Sequence, residues 1–457
     1  MKFFTSIASA LLLALSGAPA PLSARELPAA HASGSANPIL PGYFADPSFV
    51  TYQDTHYIYA TLDPWGDRTL GCWSSPDLAN WTFRELNWPT KAACTSPTSR
   101  DAAVWAPSVV RGPDGRFFMY VSVGNEVWAG VADHPLGPWR DALDGRPLIP
   151  GNFRPGFHMI DAEAFLDDDG TPYLYWGSGW NWTNGRCFAV QLAPDMTTFV
   201  GEVRDVTPAN YFEAPFMVKR GGRYFLTYSQ GKTIEDTYRV HYAVGDSPFG
   251  PFTEAANSPV LVTDHALGVV SPGHHAILAH AGRDYILYHR HSVPFDPKFI
   301  GRQTCLDELR FTAAGLIEKV TPTHAGPAFL HGLRNRQRLP ATASGPAAAV
   351  LDDNYATLWS APAPAAGAEV CLRIDLGTAR ETTRQELRLE YPWKPYHFIV
   401  ESSLDGETWS PLHEVNASRP VGSPLVLETP ARARFFQLRF PHDARAAAPA
   451  VFEWSVF

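Results

Sequence analysis

The sequence predicts an all-β protein: a five-bladed β-propeller followed by a second β-rich domain. Three observations lead there. From Asn37 onward, short apolar and aromatic-rich runs alternate with turns, with little helical periodicity, and 41 Pro and 35 Gly suit many short strands. One unit recurs: a polar or small residue in an apolar flank, a strand, a hairpin turn containing glycine, and an aromatic strand. The residues heading the units, Asp46, Ala106, Asp161, Glu213 and His274, are 60, 55, 52 and 61 residues apart. Five units of roughly 55 residues fit five four-stranded blades.

Taken in order, the chain opens with Met1-Lys2, a largely apolar run from Phe3 to Leu15, and the small residues Ser16-Gly17-Ala18-Pro19-Ala20. The apolar run is too short to span a bilayer, so the segment reads as an export signal, cleaved after Ala20, Ala24 or Ala32. A secreted or periplasmic protein with no membrane span after signal removal is expected. Residues 1–32 are assigned to this leader.

The propeller is assigned to residues 33–330. Phe44-Ala45-Asp46-Pro47-Ser48 leads to the strand Tyr57-Ile58-Tyr59, and Val104-Trp105-Ala106-Pro107-Ser108 leads through Asp114-Gly115 to Phe117–Val121. Ile160-Asp161-Ala162-Glu163 leads through Asp169-Gly170 to Tyr173–Trp176. Tyr211-Phe212-Glu213-Ala214-Pro215 leads through Gly221-Gly222 to Tyr224–Tyr228, and Ser271-Pro272-Gly273-His274 leads through Gly282 to Tyr285–Tyr288. A second echo, Asp133–Trp139 against Asp246–Phe252, supports the repeat. Asp167-Asp168-Asp169-Gly170 reads as a hairpin turn, because it lacks the spaced ligands of a calcium loop.

The innermost strand of each blade lines a central channel, so equivalent positions converge although they are distant in sequence. Those positions hold Asp46, Asp161, Glu213 and His274. Alone, Asp46-Pro47 is a common turn signal. Three carboxylates meeting at one axis repel and shift one another's proton affinity, which a purely structural channel has no need of. The apolar flank of Glu213 and the charge of Asp161 predict that Glu213 stays protonated, while Asp46 needs donors around it to stay ionised.

A net charge of −9 argues against a nucleic-acid partner. Five cysteines leave at least one unpaired; Cys72 and Cys94 are near enough in sequence to be candidates for a bridge. The 331–340 stretch is basic and polar and reads as a linker, and 341–457 carries a second strand pattern.

The propeller motifs resemble glycoside hydrolase family 43, through Asp46-Pro47, Trp105-Ala106-Pro107, Ile160-Asp161, Glu213-Ala214-Pro215 and Gly273-His274. The resemblance implies an inverting glycosidase acting on terminal α-L-arabinofuranosyl or β-D-xylosyl residues of hemicellulose-derived oligo- or polysaccharides. It implies Asp46 as general base, Glu213 as general acid and Asp161 as the residue that orients the acid and tunes its proton affinity. The chemistry needs no cofactor; the resemblance implies a structural calcium ion near the axis, at His274. It also implies a sugar contact from Arg302; His291 and His289 are further candidates there, with packing within the blade as the alternative. Trp65, Trp105, Trp128, Trp180, Trp182, Tyr211 and Phe212 are candidate stacking rings, with Trp105 and Phe212 preferred because they flank inner-strand motifs. The retaining invertase-like propellers carry Asn-Asp-Pro-Asn, Arg-Asp-Pro and Glu-Cys where this chain has Ala45–Ser48, Ile160–Ala162 and Glu213–Pro215, which disfavours fructosidase action. A β-galactofuranosidase and a non-catalytic carbohydrate-binding protein are the alternatives.

The region 341–457 resembles a discoidin-like (factor 5/8 type C) domain through Leu351–Trp359, Ile374–Gly377 and Ser402–Trp409. That implies a galactose-binding-like β-sandwich, with Tyr391, Trp393 and Tyr396 as candidate sugar platforms.

Overall fold

Each recurring unit folds as an antiparallel sheet whose strands follow in chain order. The structure, a computed structural model, describes residues 33–457, so the segment expected to be an export signal lies outside the described residues. The first blade comprises Phe44–Tyr52, Thr55–Leu62, Gly71–Ser75 and Thr82–Arg84; the second Val104–Arg111, Phe117–Val123, Glu126–Ala132 and Arg140–Asp141. The third is built from Glu163–Leu166, Pro172–Trp176, Phe188–Leu192 and Phe199–Asp205, and the fourth from Glu213–Arg220, Arg223–Gln230, Arg239–Gly245 and Thr253–Glu254. The first strands of consecutive blades touch in sequence, and the fifth closes on the first. The fold is therefore the five-bladed propeller the repeat predicts.

One expectation of the repeat is corrected. The fifth blade has three strands, Gly273–His280, Arg283–His291 and Arg302–Leu309, not four. The free edge of its third strand is taken by the chain entering the propeller. Ile39 N–H donates to the Thr304 carbonyl at 2.9 Å, while the Asn37 side chain donates to the Leu306 carbonyl at 2.9 Å and accepts from its amide at 2.8 Å. Unpaired edge groups in a buried setting cost free energy, and the fully buried Asn37 amide satisfies them.

Each hydrophobic cluster of the propeller is shared between neighbouring blades. Tyr59 and Cys72 of the first pack with Phe117 and Met119 of the second, Tyr120 of the second with Trp176 of the third, and Phe44 and Trp73 of the first with Leu287 and Leu306 of the fifth. Blades are thus apolar on both faces, which is why the repeats are so rich in aromatics. All five cysteines are unpaired; Cys72 and Cys94 share one buried cluster without bridging. The Asp167–Gly170 run turns a hairpin, with Gly170 at φ +84° and its amide donating to the Asp167 carbonyl.

The C-terminal domain hangs on a six-stranded sheet, ordered Trp359–Ser360, Ala450–Val456, Glu369–Leu389, Leu425–Pro441, Phe398–Ser403 and Ser410–Val415. The two long strands slip register between Asp375 and Arg380 and between Thr382 and Arg384, which bends them around a core that includes Leu387, Phe398, Phe436 and Trp454. The 331–340 segment is fastened to both domains. The buried Arg334 guanidinium donates to the carbonyls of Ser35, Ala36 and Pro38 on one side and of Asp353 on the other.

Tyr391, Trp393 and Tyr396 are not sugar platforms. Trp393 packs edge-on against Phe44 at 5.5 Å and Tyr391 against Tyr43 at 5.9 Å, while Tyr396 is fully buried. Apolar rings at a domain junction bury against the neighbouring domain when one is there to take them.

Candidate active site

The inner strands share a local distortion. Asp46, Ala106, Asp161, Ala214 and His274 all have left-handed backbones, with φ of 52°, 44°, 57°, 54° and 39°. In the first, second, fourth and fifth blades this coincides with a register shift between the inner strand and its neighbour. Such bulges re-aim a side chain at the cost of strain, commonly next to active sites. The repeat as read from spacing therefore needs a one-residue correction. Ala214, not Glu213, is the structural counterpart of Asp46 and Asp161, and Glu213 projects from the preceding position.

A ring of polar side chains fixes these distorted positions. The Ala106 amide donates to Thr61 Oγ1 at 2.8 Å, that of Asp161 to Ser122 Oγ at 3.0 Å, that of His274 to Ser229 Oγ at 2.9 Å and that of Asp46 to His289 Nδ1 at 3.2 Å. Each acceptor sits on the second strand of the preceding blade. Near the fourth blade Ser178 Oγ donates instead to Glu213 Oε2 at 3.1 Å.

Asp46 lies in a nest of donors. Thr61 Oγ1 donates to its Oδ2 at 2.7 Å, Arg302 Nη1 to its Oδ1 at 3.0 Å, and His274 Nδ1 stands 3.2 Å from the same oxygen. Arg302 is itself clamped by Asp63, with Nε and Nη2 at 2.9 and 2.7 Å. Burial alone would raise the Asp46 carboxyl, but the charges of Arg302 and His274 hold it well below the usual carboxylate range. Burial works against a charged His274 too, yet Asp46 and Asp161 lift it to about 9, so it is a cation at neutral pH. Burial lowers His289 to about 3; it is neutral and accepts the Asp46 amide.

Asp161 and Glu213 behave oppositely. Burial raises both, and the other carboxylates add repulsion, so the pair retains a proton where Asp46 cannot. Asp161 Oδ2 is 3.8 Å from His274 Nδ1. Glu213 accepts from Tyr238 Oη at 2.7 Å and from Ser178. Ser178 Oγ also lies 3.4 Å from the Gly179 carbonyl, so it can turn to donate there and accept from a protonated Glu213.

These side chains open on a pocket of about 270 Å³ lined by Asp46, Asp161, Glu213, His274 and Arg302, with walls that include Trp65, Trp105, Trp180, Trp182 and Phe212. Of the candidate rings, Trp128 and Tyr211 are buried elsewhere, Trp128 in the core between the first two blades and Tyr211 bonded to the Gly177 carbonyl at 2.6 Å. His291 is also corrected. It is buried behind the wall, with Nε2 2.5 Å from the Thr233 carbonyl, and Thr233 rather than His291 faces the pocket.

Sequence reading missed Thr61, Ser178, Tyr238, Asp63 and His158. Superposing the second strands would have found one of them, Thr61: Ala60-Thr61, Val121-Ser122 and Tyr228-Ser229 occupy one place in their blades. Among the described residues no group of three or more His, Cys, Asp or Glu side chains is arranged to hold a metal ion. Calcium takes six to eight oxygen ligands, and the imidazole of His274 supplies none.

One carboxylate that stays ionised beside a pair that keeps a proton is what cleavage of a glycosidic bond by acid and base requires, and the protein is a glycoside hydrolase built on a propeller. It belongs to glycosyl hydrolases family 43, whose model matches residues 35–317, and an F5/8 type C domain follows at 336–453. A β-D-galactofuranosidase of Aspergillus niger is 37% identical over 306 residues, covering 64% of this chain and 86% of that one. An arabinoxylan arabinofuranohydrolase of Bacillus subtilis is 29% identical over 378 residues, 72% of each. A solved glycoside hydrolase superposes on 93% of this chain and all of its own with a TM-score of 0.76 at 24% identity, a likeness of fold. No helix among the described residues is long and apolar enough to cross a membrane.

Proposed function

We propose that the protein is an exported, inverting glycosidase that removes terminal α-L-arabinofuranosyl or β-D-xylosyl residues from hemicellulose-derived glycans. The opposite proton affinities of Asp46 and Glu213 carry this reading. Asp46 is the base, deprotonating a water that attacks the anomeric carbon. Glu213 is the acid, passing its proton to the leaving oxygen as the bond breaks on the opposite face. Burial, with repulsion from Asp46, keeps the acid protonated; Asp161 is assigned to orient the acid and tune its proton affinity, and it faces His274, which also faces Asp46. A calcium ion near the axis would meet His274 and the carboxylates beside it, and no step depends on such an ion.

A second reading, hydrolysis of β-D-galactofuranosides, is favoured by the 37% identity to the Aspergillus enzyme. One experiment separates the two and tests the mechanism: aryl α-L-arabinofuranoside, β-D-xyloside and β-D-galactofuranoside are each incubated with enzyme while proton NMR follows the first-formed anomer. Release of arabinose or xylose with inverted configuration is expected. Retention would displace Asp46 from the role of base. Galactofuranoside as the preferred substrate would move the assignment to the second reading, and binding without turnover of any substrate would leave a carbohydrate-binding protein.

A further inference from the structure

The pocket has two aromatic poles, and they sit beside different carboxyls. At one, Trp65 covers the Arg302 guanidinium at 4.8 Å, and Arg302 holds Asp46. At the other, Trp180 lies face to face with His158, ring centres 4.2 Å apart and planes at 19°, and His158 leans in turn on Trp105 at 5.9 Å. This second pole belongs to Glu213. Ser178, two residues before Trp180, donates to Glu213 Oε2, and its backbone exchanges two hydrogen bonds with His158.

Trp180 is 45% exposed, among the most exposed large apolar side chains described. Isolated exposure needs no explanation, but this ring is held out deliberately. The loop carrying it closes on itself, since the amide and hydroxyl of Thr183 both donate to the Trp180 carbonyl, at 3.1 and 2.9 Å. Asn181, Trp182 and Asn184 all have left-handed backbones, a strained run that surrounding contacts must hold. Those contacts are close. A Cβ on Gly179 would sit 1.7 Å from the Thr183 carbonyl oxygen, and one on Gly185 would sit 2.1 Å from that of Phe212, the residue before Glu213. The loop is bolted to the acid's own strand, and one face of its tryptophan is covered by His158.

We propose that the uncovered face of Trp180 is the platform for the sugar ring on the leaving side of the scissile bond, a subsite distinct from the one that holds the sugar released. The placement rests on the reading of Glu213 as the acid: the oxygen that receives its proton belongs to the leaving group, which must lie on the Glu213 side. The ligand class is a pyranose with equatorial substituents, such as a xylose unit of a β-linked chain, whose axial C–H bonds form an apolar face that matches an indole. His158, lowered by burial to about 4, is uncharged behind the ring at neutral pH.

The test compares Trp180→Ala and Trp180→Phe with the parent on two kinds of substrate. One kind is the methyl α-L-arabinofuranoside and methyl β-D-xyloside, whose leaving group is too small to reach Trp180. The other is arabinose-substituted and unsubstituted xylo-oligosaccharides. For Trp180→Ala a KM about tenfold higher on the oligosaccharides is expected, equivalent to losing about 1.4 kcal/mol of ring contact. A loss of kcat/KM about tenfold greater on the oligosaccharides than on the methyl glycosides, with recovery in Trp180→Phe, completes the expected pattern. Equal losses on both kinds of substrate, or none on oligosaccharides, would overturn the subsite. Calorimetric titration with xylotriose of two proteins that both carry Asp46→Asn, with and without Trp180→Ala, reads the platform with cleavage disabled, so its failure is distinct from failure of the proposed function: affinity about tenfold weaker with Trp180→Ala supports the platform, and equal affinity, or no binding with Trp180 in place, overturns it.

Discussion

Asp46 is ionised because of its neighbours, not because of water. It is buried, and a carboxylate there survives only while donors and positive charge surround it. Removing the Thr61 hydroxyl, which donates to Asp46 at 2.7 Å, removes a charge-assisted bond of about 1.5 kcal/mol. The Asp46 pKa then rises by about one unit. A base acts only when ionised, so activity is lost as pH falls through its pKa. In Thr61→Val the acid limb of the kcat/KM profile therefore moves about one pH unit upward, while an unmoved limb would mean Asp46 is not the group titrating. Glu213 gives the complementary experiment. Glu213→Ala loses about 10²- to 10⁴-fold on alkyl glycosides and much less on dinitrophenyl glycosides, whose leaving groups need no proton; equal losses on both would remove Glu213 from the role of acid. Asp46, Asp161 and Glu213 were legible in the sequence because repetition picks a carboxylate out of its background. Thr61 shows only when the second strands are superposed, and Ser178 and Tyr238 not at all, since hydroxyls are common in and around strands and only the folded neighbourhood shows which ones serve the carboxylates.

The inner strands show what spacing can and cannot reveal. Five repeats were readable because hairpin turns and aromatic strands return at a regular interval. The bulge was not readable, because a one-residue slip leaves the hydrophobic pattern almost unchanged while turning a side chain to another face. Ala214 takes the strained position that Asp46 and Asp161 occupy in their blades. A β-branched side chain tolerates φ near 54° poorly, so Ala214→Val should destabilise the protein by about 1–2 kcal/mol and lower kcat by displacing the adjacent Glu213. Ala214→Gly, free of that restriction, should keep kcat; urea unfolding and steady-state kinetics check both, and equal behaviour of the two variants would show the left-handed position to be unimportant. The fifth blade makes the same point at its edge. Its missing strand was invisible because the residues that replace it, Asn37 and Ile39, lie hundreds of positions away. Asn37→Ala leaves the Leu306 amide and carbonyl without their side-chain partner, at a cost of roughly 2–4 kcal/mol. A fall in Tm of roughly 2–6 °C follows; a Tm equal to that of the parent would mean the chain entry does not fasten the ring.

At the scale of the whole molecule the sandwich is joined to the propeller directly behind the active site. Composition could not show this: exposed-looking aromatics such as Trp393 suit a sugar platform and an interface equally well, and only the docked neighbour decides. Trp393 packs on Phe44, two residues from Asp46, within a cluster that also holds Trp73 and Leu306. Arg388 reaches across to donate to the Trp81 carbonyl at 2.9 Å, and Gln303, next to Arg302, donates to the Tyr355 carbonyl at 3.2 Å. Both Asp46 and Arg302 thus have the sandwich within a residue or two of their backbones. Trp393→Ala opens a cavity against Phe44 and should cost about 3–5 kcal/mol, with one cooperative unfolding transition in the parent becoming two as the domains uncouple. Because the cavity lies behind Asp46, kcat on soluble aryl glycosides, which are too small to bridge the domains, should fall as well. Differential scanning calorimetry and kinetics on the same preparation decide the matter. A single transition near the parent's Tm with unchanged kcat would mean that the sandwich is an appendage and that the propeller holds its own base in place.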